Sequence, residues 1–117
     1  MILAINIENT NTVIGCIRDS EFIFVESIST NVTRTELEYA ISVKSIFDLY
    51  HLELTEVEGA IIASVVPPVT GVVKSAVKKP NVFPLGNIQT VGFGQIFSVN
   101  AEISFRAELL LRKLMTI

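Results

Sequence analysis

Cysteine and histidine are nearly absent from this sequence, which limits the chemistry it can carry. Its 117 residues contain one cysteine, Cys16, and one histidine, His51. A single cysteine excludes a disulfide within the chain and a cysteine zinc site, and one histidine cannot form a metal-binding pair. Cys16 lies in the apolar run Val13 to Ile17, so we interpret it as a small buried core residue rather than a catalytic thiol. With no disulfide to form, the cytoplasm is the expected location.

Basic charge and long apolar runs are also scarce. Lys and Arg total 9 against 12 Asp and Glu, for a net charge of −3 and a pI near 5.1. This balance gives no positive surface to attract nucleic acid. No run approaches the ~20 apolar residues of a membrane-spanning helix, and the first residues lack the basic region of a signal peptide. We expect neither nucleic acid nor membrane as a partner.

Hydrophobic residues, by contrast, are abundant. They make up 50% of the chain, only 18% is charged, and the mean hydropathy is +0.54. This composition argues against disorder, and the length suits one domain, spanning residues 1–117, with a real core. The high hydropathy fits a sheet covered on both faces, or an apolar surface that meets a partner.

Apolar runs separated by polar turns predict an antiparallel meander at the start of the chain. The predicted strands are Met1–Ile7, Thr12–Ile17 and Phe22–Ile28, joined by the turn residues Glu8–Asn11 and Arg18–Glu21. Short polar connections of this kind join neighbouring antiparallel strands.

The hydrophobic period then changes to that of a helix. Thr35 and Glu38 fit a capping box, and apolar residues follow at helical spacing up to Tyr50. We predict a helix from 35 to 51, with His51 as a cation at its C-terminal end. The next apolar run, Ala60 to Val66, predicts a buried strand that pairs in parallel across the helical crossover.

The last third is predicted with weaker signals. Pro67-Pro68 ends the strand and starts a helix from Pro68 to Lys79. A strand at 81–85, a loop containing Gly86, Gly92 and Gly94, and a closing helix at 101–115 complete the prediction. A meander followed by crossovers predicts an α/β fold, a mixed-sheet lobe of the ribonuclease-H-like, actin type.

Three segments in order resemble one family, the type III pantothenate kinases. LAINIENTNT, at 3–12, resembles the family's opening DIGNTNT signature, and SVVPP, at 64–68, resembles its SSVVPP turn. Arg34-Thr35 with Glu38-Tyr39 resembles the RT..EY segment that opens the family's first helix. The resemblance covers roughly residues 2–79, and the tail at 80–117 diverges from it.

The resemblance implies an acetate-and-sugar-kinase, actin-type fold. Family members are about twice this long, with two such lobes, and transfer the γ-phosphoryl group of ATP to pantothenate, the first step towards coenzyme A. They need a divalent metal, Mg²⁺, and a monovalent cation. They work as homodimers, so the resemblance implies self-association and pantothenate as substrate.

Two positions of the signature depart from the family. Its aspartate, which helps to hold Mg²⁺, is Asn6 here, a neutral and weaker metal ligand. Its glycine, which lets the backbone approach the phosphates, is Glu8. Both changes weigh against nucleotide binding, although Glu8 could replace the lost metal ligand from two residues away.

The remaining candidate residues each have a functional and a structural interpretation. Asn9, Thr10 and Asn11 match the family's phosphate-binding turn, or they are ordinary turn formers. Ser64 lies at a strand's carboxyl end, where open α/β sheets bind ligands, or the prolines after it merely end the strand and start a helix. Arg34 could hold a carboxylate or phosphate, and a solvated start of the helix is the interpretation we favour.

No catalytic residue can be assigned from this sequence. The family's catalytic base is the aspartate of a Gly-Ala-Asp-Arg run, and this chain has only Asp19 and Asp48, in other contexts. We therefore expect a truncated, catalytically impaired relative of the kinases. The alternatives are a non-catalytic binding or regulatory module built on the same lobe, and an active kinase whose missing groups come from another chain.

Overall fold

The chain forms a six-stranded mixed sheet in the order β3-β2-β1-β4-β5-β6. The computed structural model describes residues 1–79, 88–92 and 95–96. In chain order, the elements are β1 Ile2–Ile7, β2 Asn11–Arg18, β3 Glu21–Ser29, α1 Glu36–Leu49, a 3₁₀ turn Leu54–Glu56, β4 Gly59–Ser64, α2 Pro67–Ala76, β5 Ile88–Gly92 and β6 Gln95–Ile96. Among the described residues, no helix is long and apolar enough to cross a membrane.

The pairing of β1 with both neighbours confirms the predicted meander and crossover. β1 pairs antiparallel with β2, which pairs antiparallel with β3. On its other side β1 pairs in parallel with β4, from Ile2 opposite Gly59 to Ile7 opposite Ser64. This mixed α/β sheet is the ribonuclease-H-like, actin-type arrangement that the sequence predicts. The carboxyl ends of β1 and β4 therefore meet at one edge of the sheet.

Apolar residues are buried on both faces of the central strands. On one face α1 and α2 pack against the sheet, and this cluster includes Leu3, Ile5, Phe47 and Val73. On the opposite face Ile2, Ala4, Ile17, Ile61 and Ala63 form a second buried cluster. Burial on both faces of the sheet explains why the sequences of the central strands are continuous apolar runs rather than alternating apolar and polar residues.

The predicted capping box starts α1. The Thr35 hydroxyl accepts a hydrogen bond from the Glu38 backbone N–H at 3.2 Å, and the Glu38 carboxylate accepts one from the Thr35 N–H at 3.4 Å. The helix ends at Leu49, two residues before the predicted end. His51 has left the helix, with a φ of 55° in the left-handed region, and Leu52 N–H closes the end by donating to Phe47 C=O at 2.9 Å.

The later elements differ from the sequence prediction in two places. Gly92 was predicted in a loop, but it ends β5 and pairs with Gln95 across an antiparallel hairpin. α2 ends at Ala76 rather than Lys79, so Lys74 is the basic residue of its last turn. The predicted strand at 81–85, Gly86, Gly94 and the helix at 101–115 lie outside the described residues.

The β2–β3 turn offers a stability test. Asp19 and Ser20 have φ values of 53° and 68°, which cost a non-glycine residue about 1 kcal/mol. We expect Ser20→Gly to raise the free energy of unfolding by up to about 1 kcal/mol, measured by urea denaturation. The matched control, Ser75→Gly on the exposed side of α2, should lower it by about 0.5 kcal/mol. A loss from Ser20→Gly would contradict the turn geometry.

Cys16 is a buried core residue, and its burial predicts a pH effect. It is fully buried, its Sγ lies 3.7 Å from Met1 Sδ, and desolvation raises the pKa of the thiol from 9.0 to about 11. Since the unfolded thiol ionises first, the stability it contributes is present below pH 9.0 and is lost as the pH rises towards 11.

This pH effect can be measured by urea denaturation at pH 8 and pH 10.5. Between these pH values the free energy of unfolding of the wild-type chain should fall by about 2 kcal/mol more than that of Cys16→Ala, which carries no thiol. Equal losses in the two proteins would show that the thiol is not held in its neutral form by the fold.

Candidate functional site

A cleft opens where β1 and β4 end at the same edge of the sheet. Its volume is about 320 Å³. It is lined by the end of β1, the β1–β2 turn and the end of β4, through Asn6, Glu8, Asn9, Thr10, Asn11, Ala63, Ser64 and Val65. The parallel register of β1 and β4 brings these segments together, and ligands of open α/β sheets commonly bind at such an edge.

The β1–β2 turn is held on both sides. Glu8 N–H donates to Asn11 C=O at 3.0 Å, which closes the turn itself. Thr30 N–H, just after β3, donates to Thr10 C=O at 2.9 Å. The buried Thr12 hydroxyl also bonds to the Thr30 hydroxyl at 2.8 Å. The cleft therefore has a wall fixed by neighbouring strands rather than a free loop.

Asn6 and Glu8 are joined inside this cleft. Asn6 is only 5% exposed, and its amide Nδ2 donates to Glu8 Oε1 at 2.9 Å. The sequence analysis did not predict this bond, although the two-residue period of a strand places the positions on one face. The amide thus holds the carboxylate against the cleft.

The cleft lining carries a negative charge, whereas a polyphosphate ligand needs positive charge around it. Six lining residues carry side-chain oxygens, and the one formal charge among the eight is the carboxylate of Glu8. Among the described residues, no Lys, Arg or His lines the cleft. Phosphate sites are normally built from positive charge and backbone N–H donors. The residues present therefore do not fit the triphosphate of ATP by charge.

The start of α2 does not supply the missing donors. Pro67 and Pro68 occupy the first turn and have no N–H, and Val69 N–H already donates to Val66 C=O at 2.9 Å. Ser64 Oγ accepts from Val66 N–H at 3.0 Å and donates to Val66 C=O at 3.3 Å. The Ser64 hydroxyl lines the cleft, but it is engaged in its own turn.

Arg34 lies outside the cleft lining. Its guanidinium carbon is 5.2 Å from the centroid of the Tyr39 ring, in a cation–π contact. The Tyr39 hydroxyl donates to Asn31 C=O at 3.1 Å and accepts from Asn31 N–H at 3.2 Å. Arg34 therefore packs at the start of α1, half-buried over Tyr39.

Neither aspartate can serve the cleft as a base. Asp19 lies in the β2–β3 turn, at the opposite edge of the sheet, and Asp48 forms an ion pair with Lys44 at 3.1 Å on α1. Within the described part of the chain, no group of three or more His, Cys, Asp or Glu could hold a metal ion. Any cation in the cleft would therefore depend on Glu8 and on neutral oxygens.

Comparison with known proteins identifies relatives described as type III pantothenate kinases. The profile of the family described as type III pantothenate kinase matches residues 2–101, further than the motifs alone suggested. The type III pantothenate kinases of Halalkalibacterium halodurans and Finegoldia magna are each 39% identical over 79 residues, which is 68% of this chain and 31% and 30% of theirs. That of Exiguobacterium sp. is 45% identical over 69 residues, 59% of this chain and 27% of its own. The matched segments thus cover only about three tenths of the length of these relatives.

Proposed function

The chain belongs to the type III pantothenate kinase family, and from this premise we propose that it is a kinase-type lobe in which phosphate transfer from ATP to pantothenate is impaired. In this proposal residues 1–117 form one N-terminal lobe, with 80–117 as its divergent part, and act in the cytoplasm. Its cleft corresponds to the ATP site of the family, so ATP, Mg²⁺ and a monovalent cation are the ligands at issue.

The Asn6–Glu8 hydrogen bond carries the proposal. A nucleotide phosphate entering the cleft would meet the Glu8 carboxylate, which Asn6 holds in place at 2.9 Å. Two like charges within about 4 Å repel by several kcal/mol at the effective dielectric of a protein surface. Since no lining residue in the part of the chain that the structure describes offers a compensating positive charge, this repulsion opposes nucleotide binding directly.

The scarcity of carboxylates among the described residues of the cleft also supports impaired phosphate transfer. Phosphoryl transfer needs a group that orients or deprotonates the attacking hydroxyl. Within the described residues the cleft offers only Glu8, which is already bonded to Asn6. Asn9, Thr10 and Asn11 remain as neutral donors for a ligand, and they do not supply a base.

The direct test is transfer of radiolabelled phosphate from ATP to pantothenate. With Mg²⁺ and K⁺ present, we expect no labelled product above the protein-free control. The type III pantothenate kinase of Halalkalibacterium halodurans, assayed in the same buffer, serves as positive control. Turnover in the usual kinase range, roughly 1–100 s⁻¹, by the purified chain would contradict the proposal.

Self-association as a homodimer belongs to the same proposal. Leu37 and Ile41 are one turn apart on α1 and are each 53% exposed, an apolar stripe that water-exposed helices usually avoid. Analytical ultracentrifugation of the wild-type chain should show a dimer, and Leu37→Glu should weaken it. A monomer at all concentrations would contradict this part of the proposal.

A further inference from the structure

We propose that the segment 97–117 docks as an amphipathic helix on the face of the sheet opposite α1 and α2, and there covers the second buried cluster. Such docking requires neither ATP nor pantothenate, so it goes beyond the proposed function. The segment lies outside the described residues, and the support comes from the sheet face that receives it and from the segment's sequence.

The sheet face opposite α1 and α2 is buried without a described helix on it. Ile2, Ile17 and Ile61 are fully buried there, in one cluster with Ala4 and Ala63. Core residues of α1 and α2 belong to the other cluster, and the described residues of this cluster all come from strands. Apolar side chains on a sheet face stay exposed unless another layer covers them. The structure contains a single chain, so the covering layer belongs to the chain itself.

The position of each remaining stretch along the chain favours 97–117 as this layer. It is the longest stretch outside the described residues. The stretch 80–87 follows α2, which packs on the opposite face, and leads to β5 beside β4. The pair 93–94 only connects β5 to β6. The segment 97–117 is therefore the part of this sequence that can extend from β6 across β4, β1 and β2.

The receiving face has the size of one helix. The cluster extends over β2, β1 and β4, three neighbouring strands that lie about 4.8 Å apart. The resulting width is close to the diameter of a helix, about 10–12 Å. Its middle is lined by small residues, because Ala4 lies in register with Gly15 on β2. Small residues on one layer leave room for large apolar side chains from the facing layer.

The sequence of the segment carries a matching apolar stripe. Apolar residues recur at intervals of four, three, four and three residues, at Ile103, Ala107, Leu110, Leu114 and Ile117. This spacing is typical of one side of an amphipathic helix. Glu108 and Arg112 fall on the other side of such a helix. Docking would bury the stripe on the apolar sheet face and leave these charges in water.

The test measures the reactivity of a thiol placed on the receiving face. In Cys16→Ala/Ile61→Cys the only thiol of the chain stands at position 61, which is fully buried in the wild-type structure. We expect iodoacetamide, with the product followed by mass spectrometry, to react with it roughly a hundredfold more slowly than with the urea-unfolded chain, because a buried thiol reacts only when the structure opens.

A charge in the apolar stripe should remove this protection. Leu110→Asp, added to the same background, should release the segment and speed the reaction roughly tenfold or more. The matched control Leu109→Asp adds the same charge at the neighbouring residue, outside the stripe, and should change the rate less than about twofold. Circular dichroism verifies that each variant is folded. If Leu110→Asp unfolds the chain, Leu110→Ala and Leu109→Ala replace the pair.

Any of four results would overturn the proposal. A thiol at position 61 that reacts as fast as in the unfolded chain would show that the face is uncovered. An unchanged rate in Leu110→Asp, or equal acceleration by Leu110→Asp and Leu109→Asp, would show that the stripe is not the cover. A rate that falls as protein concentration rises would assign the cover to a second copy. No nucleotide is present, so the outcome is independent of the kinase assay.

Discussion

Replacing Phe47 by Ala is expected to lower the free energy of unfolding by about 4 kcal/mol. Phe47 is fully buried, and its ring meets the Phe24 ring edge to face, with centroids 5.5 Å apart. Truncation loses this aromatic contact and leaves a cavity between α1 and the sheet. Since small domains are stable by only 5–15 kcal/mol, the variant should be close to unfolding at room temperature.

The neighbouring Leu49 provides the control for Phe47. It lies on the same helix but is 75% exposed, so Leu49→Ala should change the free energy of unfolding by less than about 0.5 kcal/mol. Urea denaturation followed by circular dichroism measures both variants. A similar small loss from Phe47→Ala would mean that α1 does not cover the sheet as described.

The second large effect is expected from Asn6→Asp measured without divalent cation. The change replaces an amide that donates to Glu8 at 2.9 Å with a carboxylate that repels it. Losing a hydrogen bond to a charged group and gaining a like charge should together cost about 2–3 kcal/mol of unfolding free energy at pH 7 in EDTA.

Divalent cation should reverse this loss. Two carboxylates attract a cation more strongly than one, so MgCl₂ or CaCl₂ should raise the melting temperature of Asn6→Asp much more than that of wild type. The control Asn31→Asp adds the same charge in the loop before α1. There the side-chain oxygen accepts from Thr33 N–H at 2.9 Å and can continue to do so. If both variants lost equal stability and responded equally to cation, the Asn6–Glu8 pair would not be the cause.

Local signals explain why the first half of the fold could be predicted. The meander follows from apolar runs separated by turn formers, and the start of α1 follows from the Thr35–Glu38 capping box, which the structure shows in full. β5 could not be predicted in this way. Its residues pair in parallel with β4, so its strand form depends on a distant partner, and the glycines Gly86, Gly92 and Gly94 suggested a loop.

The candidate site, too, could be predicted only in part from the sequence. The resemblance to the kinase signature singled out Asn6, Asn9, Thr10 and Asn11, and a strand's carboxyl end singled out Ser64. The structure brings all five residues to the lining of one cleft. The directions of the side chains could not be predicted from the sequence. Arg34 packs over the Tyr39 ring and Ser64 bonds within its own turn, and both depend on rotamers that only the folded structure fixes.

We expect the identity of residues 6 and 8 to decide whether this chain can hold nucleotide. The relatives match this chain over its first two thirds, and the cleft has the volume and strand ends that a ligand site needs. In our proposal, ATP binding is opposed chiefly by a neutral amide, Asn6, and by the carboxylate that it holds, Glu8. Lost nucleotide binding of this kind should be reversible by substitution, whereas phosphate transfer would still need a base.

Calorimetric titration of Mg·ATP into wild type and Asn6→Asp/Glu8→Gly tests this account most directly. The double variant moves the carboxylate back into β1 and removes the side chain from the turn. We predict no measurable binding to wild type and saturable binding, tighter by at least tenfold, to the double variant. Equally tight binding of Mg·ATP to the wild-type chain would contradict the account, because Glu8 would then be no obstacle to the phosphates.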